Sequence, residues 1–442
     1  MMTISDLPQD FVERINADHP EMSEDIFHGY MQSVSTTIQH NALISQPSKS
    51  ISGNPYGELI EERPNFALDP KWHAGAYYVQ EAHSQMVYTA SKRALKDLED
   101  PLVADLCAAP GGKSLSVLNV LKERGVLWSN ELIPNRHQVL RENLVKWGHR
   151  NSISSQGEID RLLPLGAIFD LVLVDAPCSG EGMFRKEEKA ITEWYKDLPR
   201  QCAIRQEKIL DTAVELVAEG GCLLYSTCTL SPEENELQIK RLIASGWKEV
   251  DWGAESIEGA LPREYGALFT PGTPIGEGFY ICLLQKPGND PATLTSRKQK
   301  LRVGKRKHDE LQNQIGFLNL DGQLVIQGDK GLKLLTEPLE RVLIHALENR
   351  VKVSGYGVNV ALNKGKNWIP HADLAFTKGI ELLAPTIDLS IDEALDYLRL
   401  ASLRKEHQGW ALAVYEGTNL GWVKGVGNRL NNYYPKGWRL RS

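Results

Sequence analysis

Two cysteines in this chain stand where a thiol can do chemistry. Cys178 lies in Asp175-Ala176-Pro177-Cys178-Ser179-Gly180, and Cys228 in Ser226-Thr227-Cys228-Thr229. Each string follows a short apolar run, Phe169 to Val174 and Gly221 to Ser226, so each thiol is predicted at the carboxyl end of a strand. In an open parallel sheet that edge is where ligands bind, and adjacent strands would bring both thiols to one pocket. A thiolate there can attack covalently. The competing reading of any single cysteine is a small buried hydrophobe, which by residue type alone suits Cys107, Cys202, Cys222 and Cys282.

A third string, Asp105-Leu106-Cys107-Ala108-Ala109-Pro110-Gly111-Gly112-Lys113-Ser114, follows a strand predicted over Leu102 to Leu106 and opens a helix. Its small residues let the backbone approach a nucleotide-like ligand. It ends like a phosphate loop, but that motif needs glycine five residues before Gly112, where the chain has Cys107. Glu131 follows a strand predicted over Gly125 to Trp128, where a carboxylate can hold ribose hydroxyls. Glu158 offers an acceptor for an adenine amino group, although an isolated loop glutamate is more commonly only solvated.

The elements that must position these residues read as a doubly wound α/β domain over 99–287. Strands at Leu102 to Leu106, Phe169 to Val174, Gly221 to Ser226 and Gly278 to Leu284 alternate with helices predicted at Asn135 to Trp147 and Arg205 to Glu219. Ser231-Pro232-Glu233-Glu234 reads as a capping box with proline at the first helical position. Residues 1–98 show no sustained hydrophobic period. Residues 288–308 are a basic linker carrying Arg297, Lys298, Lys300, Arg302, Lys305, Arg306 and Lys307. Residues 309–442 are expected to form an α+β module, with a helix at Ser390 to Leu403. Basic and aromatic residues alternate at its end from Trp422 to Arg441. That mixture suits bases and phosphates, or a small β-rich core with its charges outside.

Composition sets the outer limits. The chain has 442 residues, 42% hydrophobic and 24% charged, and a net charge of −7, which argues against non-specific coating of nucleic acid but not against local basic patches. Its six cysteines have no Cys-x-x-Cys spacing, so neither a metal site nor a disulfide framework is expected. No apolar run is long enough to span a bilayer and no export signal is evident, so no membrane association and a cytoplasmic location are expected.

The strings from Asp175 to Lys186 and from Ser226 to Thr229 resemble the paired cysteine motifs of the Nol/Nop/Sun RNA cytosine-5 methyltransferases. With Cys107 to Lys113, His73 to Glu81, Gly421 to Lys424 and Asn428 to Pro435, the chain resembles the RsmF branch from about Pro64 onward. The resemblance implies a Rossmann-like domain flanked by an N-terminal RNA-binding segment and a C-terminal PUA-like RNA-binding module. It implies S-adenosyl-L-methionine as cofactor and 16S rRNA of the small ribosomal subunit as partner. Cys107, Ala108, Ala109, Pro110, Gly111, Gly112, Lys113, Glu131, Glu158 and Asp175 would bind the cofactor. Cys228 would be the nucleophile, Cys178 would assist release, and Asp175 and Lys113 would orient the cytosine. Two positions depart from the pattern: Glu158 replaces the usual Asp, and Gln39 stands where relatives commonly carry an Arg for an RNA phosphate.

Such a site would work by addition and elimination. Carbon 5 of cytosine is too weak a nucleophile to attack a methyl sulfonium; a thiolate bonded to carbon 6 makes it enamine-like, and loss of the carbon 5 proton then releases the cysteine. A free thiol is only a few per cent ionised at neutral pH, so local support of the thiolate is expected, and the base must leave its stack. A transfer RNA cytosine-5 methyltransferase is the nearest alternative. A non-catalytic ribosome-assembly RNA-binding protein is the other, against which the intact cysteine pair argues.

Overall fold

The computed structural model describes every residue except 1, 273–274, 289–300, 329–330, 366 and 442. The N-terminal region opens with α1 (Gln9–Asp18) and α2 (Ser23–Met31). Phe11 and Ile15, one turn apart, form the buried face of α1. Phe11 meets Tyr30, Phe184 and Trp194 edge-on at centroid distances of 5.8, 5.0 and 5.6 Å. β1 (Thr36–His40), β2 (Gly57–Ile60) and, after the short α3 (Pro70–His73), β3 (Tyr77–Val79) form an antiparallel sheet in the order β2-β1-β3. α4 (Val87–Ala94) completes the region and packs on the central domain. The sequence pattern misses α1, α2 and α4 because elements of 10, 9 and 8 residues give the helical period too few repeats to stand out.

Gln39, which stands where the family pattern has an Arg, has a structural role here. Its side chain is fully buried in β1, where Oε1 accepts from Ser116 Oγ at 2.8 Å and from Asn54 Nδ2 at 3.3 Å. The residue ties the N-terminal sheet to the central domain.

The central domain runs β4 (Leu102–Asp105), α5 (Gly112–Leu121), β5 (Val126–Glu131), α6 (Pro134–Trp147), β6 (Ser152–Gln156), β7 (Phe169–Asp175), α7 (Glu188–Glu193), α8 (Leu198–Leu216), β8 (Val217–Thr227), α9 (Glu236–Ala244), β9 (Lys248–Glu249), β10 (Leu261–Pro262), β11 (Ala267–Phe269) and β12 (Phe279–Gln285). Strands β8-β7-β4-β5-β6 are parallel and consecutive in the sheet. β12 adds antiparallel to β8, followed by β11 and β10, and β9 also pairs with β12. Alternation along the strands feeds two cores: Leu102 and Ala104 join α8 on one face, while Val103 joins α4, α5 and α6 on the other. The expected doubly wound domain is therefore present, with antiparallel strands added at its edge. The helix expected at Arg205 to Glu219 is corrected to Leu198–Leu216; Val217 to Glu219 belong to β8, whose β-branched start pairs with Phe169.

The C-terminal region contains α10 (Lys305–Gln314), β13 (Leu324–Gln327), β14 (Gly331–Leu335), α11 (Glu337–Glu348), β15 (Gly355–Tyr356), β16 (Val358–Lys364), β17 (Asn367–Pro370), α12 (Ala372–Phe376), β18 (Thr386–Asp388), α13 (Ile391–Leu398), β19 (His407–Tyr415), β20 (Thr418–Gly427) and β21 (Arg429–Asn432). Two four-stranded sheets result, β13-β14-β16-β17 and β18-β19-β20-β21. The region is not a detached bead. β15 pairs antiparallel with β6, and Leu339, Val342 and Leu343 of α11 enter the core of the central domain. The helix expected from Ser390 to Leu403 stops at Leu398, with Ser390 in a capping box with Glu393.

Of the basic run, Arg297, Lys298 and Lys300 lie outside the described residues; Arg302 pairs with Glu340 at 3.1 Å and Lys305 to Lys307 start α10. The C-terminal tail is divided between core and surface. Trp422 and Tyr434 are core residues, and Trp422 Nε1 donates to the His371 carbonyl at 2.9 Å, whereas Lys424 and Tyr433 stay exposed. Among the described residues no helix is long and apolar enough to cross a membrane.

Candidate active site

Five adjacent parallel strands deliver the candidate residues to one edge. β4 leads into Cys107 to Lys113, β5 ends on Glu131, β6 leads to Glu158, β7 ends on Asp175 with Cys178 beyond, and β8 leads to Cys228. The chain turns from β4 to one side through β5 and β6, then crosses back to β7 and β8 on the other. Such a reversal opens a crevice at the strand ends.

The β4–α5 loop is held from β5 and α6. Ala108 N donates to the Asn130 carbonyl at 2.9 Å and Ala109 N to Glu131 Oε2 at 3.3 Å, while Asn143 Nδ2 donates to the Pro110 carbonyl at 2.8 Å. Gly111 has φ +118, a conformation that favours glycine, and starts α5. Ser114 Oγ donates to Asp105 Oδ2 at 2.6 Å, but Asp105 Oδ1 is buried with no hydrogen-bond partner among the described residues. Burial, opposed by the Ser114 hydrogen bond, pushes the Asp105 carboxyl up to about 7, and burial raises the Cys107 thiol well above its ordinary range. Glu131 is buried, and its other oxygen accepts from Ile133 N at 2.8 Å. Glu158 is exposed. An orphaned acceptor under the loop, a buried carboxylate at the next strand end and a glycine cradle fit an adenosyl ligand with ribose hydroxyls.

On the other side of β4 the two thiols meet. Cys178 Sγ and Cys228 Sγ are 3.2 Å apart, both half-buried. Asp175 accepts from Lys113 Nζ at 2.8 Å through one oxygen and from Ser226 Oγ at 2.9 Å through the other. Burial pulls the Lys113 ammonium down, but Asp175 and the Cys228 sulfur outweigh it and its pKa rises. Lys113 Nζ also lies 5.2 Å from the centre of the Phe279 ring. The Cys178 thiol is pushed well above its ordinary range, first by its hydrogen bond to Cys228 and then by burial.

A buried polar brace, which the sequence reading misassigned or passed over, joins the two cysteine loops. Ser179 Oγ and Thr229 Oγ1 are 2.8 Å apart. Glu234 accepts from Ser179 N at 3.0 Å, Ser179 Oγ at 2.6 Å, Thr229 Oγ1 at 3.1 Å and Gln206 Nε2 at 2.9 Å. The expected capping box is thereby corrected: Ser231 to Asn235 form a turn, α9 starts at Glu236, and the Glu234 carboxylate is turned into the brace. Glu181 accepts from Thr229 Oγ1 at 2.9 Å, Leu230 N at 3.1 Å and Trp194 Nε1 at 3.1 Å, and it pairs with Arg14 of α1. Gly182 N donates to the Cys228 carbonyl at 2.8 Å. Farther out, the buried pair Arg185 and Glu277, 2.8 Å apart, fixes the loop after Cys178 to the segment before β12. Carboxylates inside motif strings were the available signal for Glu181 and Glu234; Arg14 has no sequence signal.

Comparison with known proteins follows the same division. Residues 92–285 match the family model of the 16S rRNA methyltransferase RsmB/F, and residues 384–440 match that of the methyltransferase RsmF PUA domain. The chain is similar to ribosomal RNA small subunit methyltransferase F of Vibrio parahaemolyticus, 30% identical over 392 residues, with 82% of this chain and 79% of that protein covered. To the Vibrio atlanticus protein of the same name it is 32% identical over 390 residues, with the same coverage. The solved structure of NSun6 from Pyrococcus horikoshii with SFG, an analogue of S-adenosylmethionine, superposes with a TM-score of 0.54 at 20% identity, covering 64% of this chain and 99% of the other. A methyltransferase homologue from Pyrococcus horikoshii gives 0.52 at 25% identity, covering 64% and 100%.

Proposed function

We propose that this chain, which belongs to the RsmB/F family of 16S rRNA methyltransferases, methylates carbon 5 of a cytosine in small-subunit ribosomal RNA, with Cys228 as nucleophile and Cys178 as the releasing thiol. Membership makes it an S-adenosylmethionine-dependent RNA methyltransferase. The observation that carries a two-thiol site is the 3.2 Å separation of two sulfurs at neighbouring strand ends, beside the Lys113–Asp175 pair; the division of roles follows the family pattern.

When bound, S-adenosylmethionine supplies an electrophilic methyl group. In this reading Cys107 to Lys113, Glu131, Glu158 and Asp175 hold it, with Glu131 taking the ribose hydroxyls and Glu158 the adenine edge. Asp175 and Lys113 orient the flipped cytosine, Asp175 as an acceptor and Lys113 as a donor. Cys228 Sγ bonds to carbon 6, and the electron pair of the carbon 5–carbon 6 double bond makes carbon 5 nucleophilic. Cys178, its thiol pushed up beside Cys228, suits proton handling rather than attack: after yielding its own proton to solvent, its thiolate takes the proton that carbon 5 must lose, and the C5–H electron pair re-forms the double bond as the Cys228 sulfur leaves. The brace of Ser179, Thr229, Glu181 and Glu234 supports this by keeping the two loops in register.

Residues 1–98 and 309–442, joined to the catalytic domain directly and through 288–308, are assigned to RNA binding around the site. The protein is placed in the cytoplasm, where the small ribosomal subunit offers the substrate. Mapping 5-methylcytosine in total RNA from cells with and without the gene tests the address. Loss at a cytosine of small-subunit ribosomal RNA is expected. Loss confined to transfer RNA would replace the substrate, and an unchanged map would remove the assignment.

A further inference from the structure

A groove in the C-terminal region, away from the strand edge that carries the thiols, has its own chemistry. Its volume is about 530 Å³, within the range of small-ligand sites. One wall is the β16–β17 hairpin, with Lys364 and Trp368, and the other is the β19–β21 sheet, with Trp410, Lys424 and Tyr433. Trp410 and Lys424 face each other across β19 and β20, and Lys424 Nζ lies 5.3 Å from the Trp410 ring centre. Tyr433 meets Trp410 at 4.5 Å and 71°. Trp368 is fixed by its Nε1 bond to Gln314 Oε1 at 3.0 Å. Among the described residues no carboxylate lines the groove.

A second cleft, about 720 Å³, shares Lys364, Ile369 and Tyr433 with the first and runs onto α6 of the catalytic domain, where His137 and Arg141 line it. Its acids are already partnered: Glu142 with Lys146 at 2.6 Å, and Asp373 with His371 at 3.0 Å. The two clefts thus form one path, aromatic and cationic at the far end, reaching the helix that follows Glu131.

We propose that the groove of Trp368, Trp410 and Tyr433, flanked by Lys364 and Lys424, binds unstacked nucleotides of a single-stranded RNA segment, whose strand continues along the second cleft toward the catalytic domain. The half-buried Trp368 and Trp410 and the exposed Tyr433 offer ring surface to bases of any sequence, and the two lysines take the phosphates between them. A duplex keeps its bases stacked inside and offers these rings nothing. Leu383, Ile369 and Pro385 also border the groove, but Lys364 and Lys424 flank it and no carboxylate among the described lining residues answers them, so charge favours the polyanion. The inference rests on the reading that the chain acts on RNA.

The test uses the full chain and a fluorescent single-stranded oligoribonucleotide, free or annealed to its complement. Trp410→Ala and Tyr433→Ala are expected to weaken single-strand binding about tenfold each, with S-adenosylmethionine affinity unchanged and duplex binding altered less than twofold. Trp410→Phe should restore most of the loss, which a folding defect would not allow. Lys424→Gln should flatten the salt dependence of binding by about one unit of slope. Undiminished single-strand binding by the Trp410→Ala/Tyr433→Ala chain overturns the proposal and assigns the groove to a protein partner. Equal losses for both RNA forms overturn it in favour of charge alone. Failure of the unaltered chain to bind or methylate any RNA would instead strike the underlying functional reading.

Discussion

Replacing Glu234 by glutamine removes a charge from the interior without removing the side chain. Burial, and then the nearby Glu181, push this carboxyl from 4.5 up to about 7, against the hydrogen bonds from Ser179 and Gln206. The folded protein therefore keeps a proton on Glu234 at pH values where the unfolded chain has lost it. Stability from this group is present below the unfolded value, declines as pH rises toward 7 and is gone above it. A shift of that size corresponds to about 3 kcal/mol, of which about 2 kcal/mol falls between pH 5.5 and pH 8. Glutamine cannot titrate and loses one acceptor in the brace, so its cost is independent of pH. Urea denaturation of both chains at pH 5.5, 6.5 and 8 measures the difference directly. The unaltered protein should gain about 2 kcal/mol relative to Glu234→Gln on going from pH 8 to pH 5.5. Parallel pH profiles would refute the argument that a strained carboxyl sits between the cysteine loops.

Two further outcomes follow from the site geometry. Glu131→Ala should weaken S-adenosylmethionine binding by roughly 1.5 to 3 kcal/mol, the range of a charged hydrogen bond, as read by titration calorimetry; an unchanged affinity would remove Glu131 from the cofactor site. Gly182→Ala would place a methyl group against the Gly278 carbonyl and 2.9 Å from the Cys228 carbonyl, so it should lower the methylation rate at least about tenfold through loop displacement, and a rate within twofold of the unaltered chain would contradict that packing.

The convergence of the candidate residues was largely legible because they sit in contiguous strings at strand ends. Cys178, Cys228, Asp175 and the Cys107 to Lys113 loop announce themselves by residue type, and apolar runs such as Leu171 to Val174 mark buried parallel strands without ambiguity. What holds those strings together was not legible, because it depends on pairings between distant residues. Arg14 reaches Glu181 across 167 positions, and β15 joins β6 across two hundred. Glu234 was misread for a local reason: serine, proline and glutamate at those spacings do describe a helix start, but the thiol loops supplied the buried donors that drew its carboxylate inward. Gln39 shows the same dependence on distant partners, since nothing near it in sequence announces its bond to Ser116. In the C-terminal tail, alternating aromatic and basic residues fitted both a core and a binding face, and what covers each position decided: Trp422 and Lys424 share one face of β20, yet the first is buried and the second exposed.

The central claim is that the two thiols have separate tasks, and covalent trapping tests it most directly. Cys178→Ala and Cys228→Ala chains are incubated with labelled small-subunit ribosomal RNA and S-adenosylmethionine, then run on a denaturing gel. With Cys178→Ala the bond to carbon 6 still forms but release fails, so a slow-migrating protein–RNA adduct should accumulate. With Cys228→Ala neither adduct nor methylation should appear. An adduct only with Cys228→Ala would exchange the two roles, and undiminished methylation by Cys228→Ala with no adduct from either chain would contradict the mechanism.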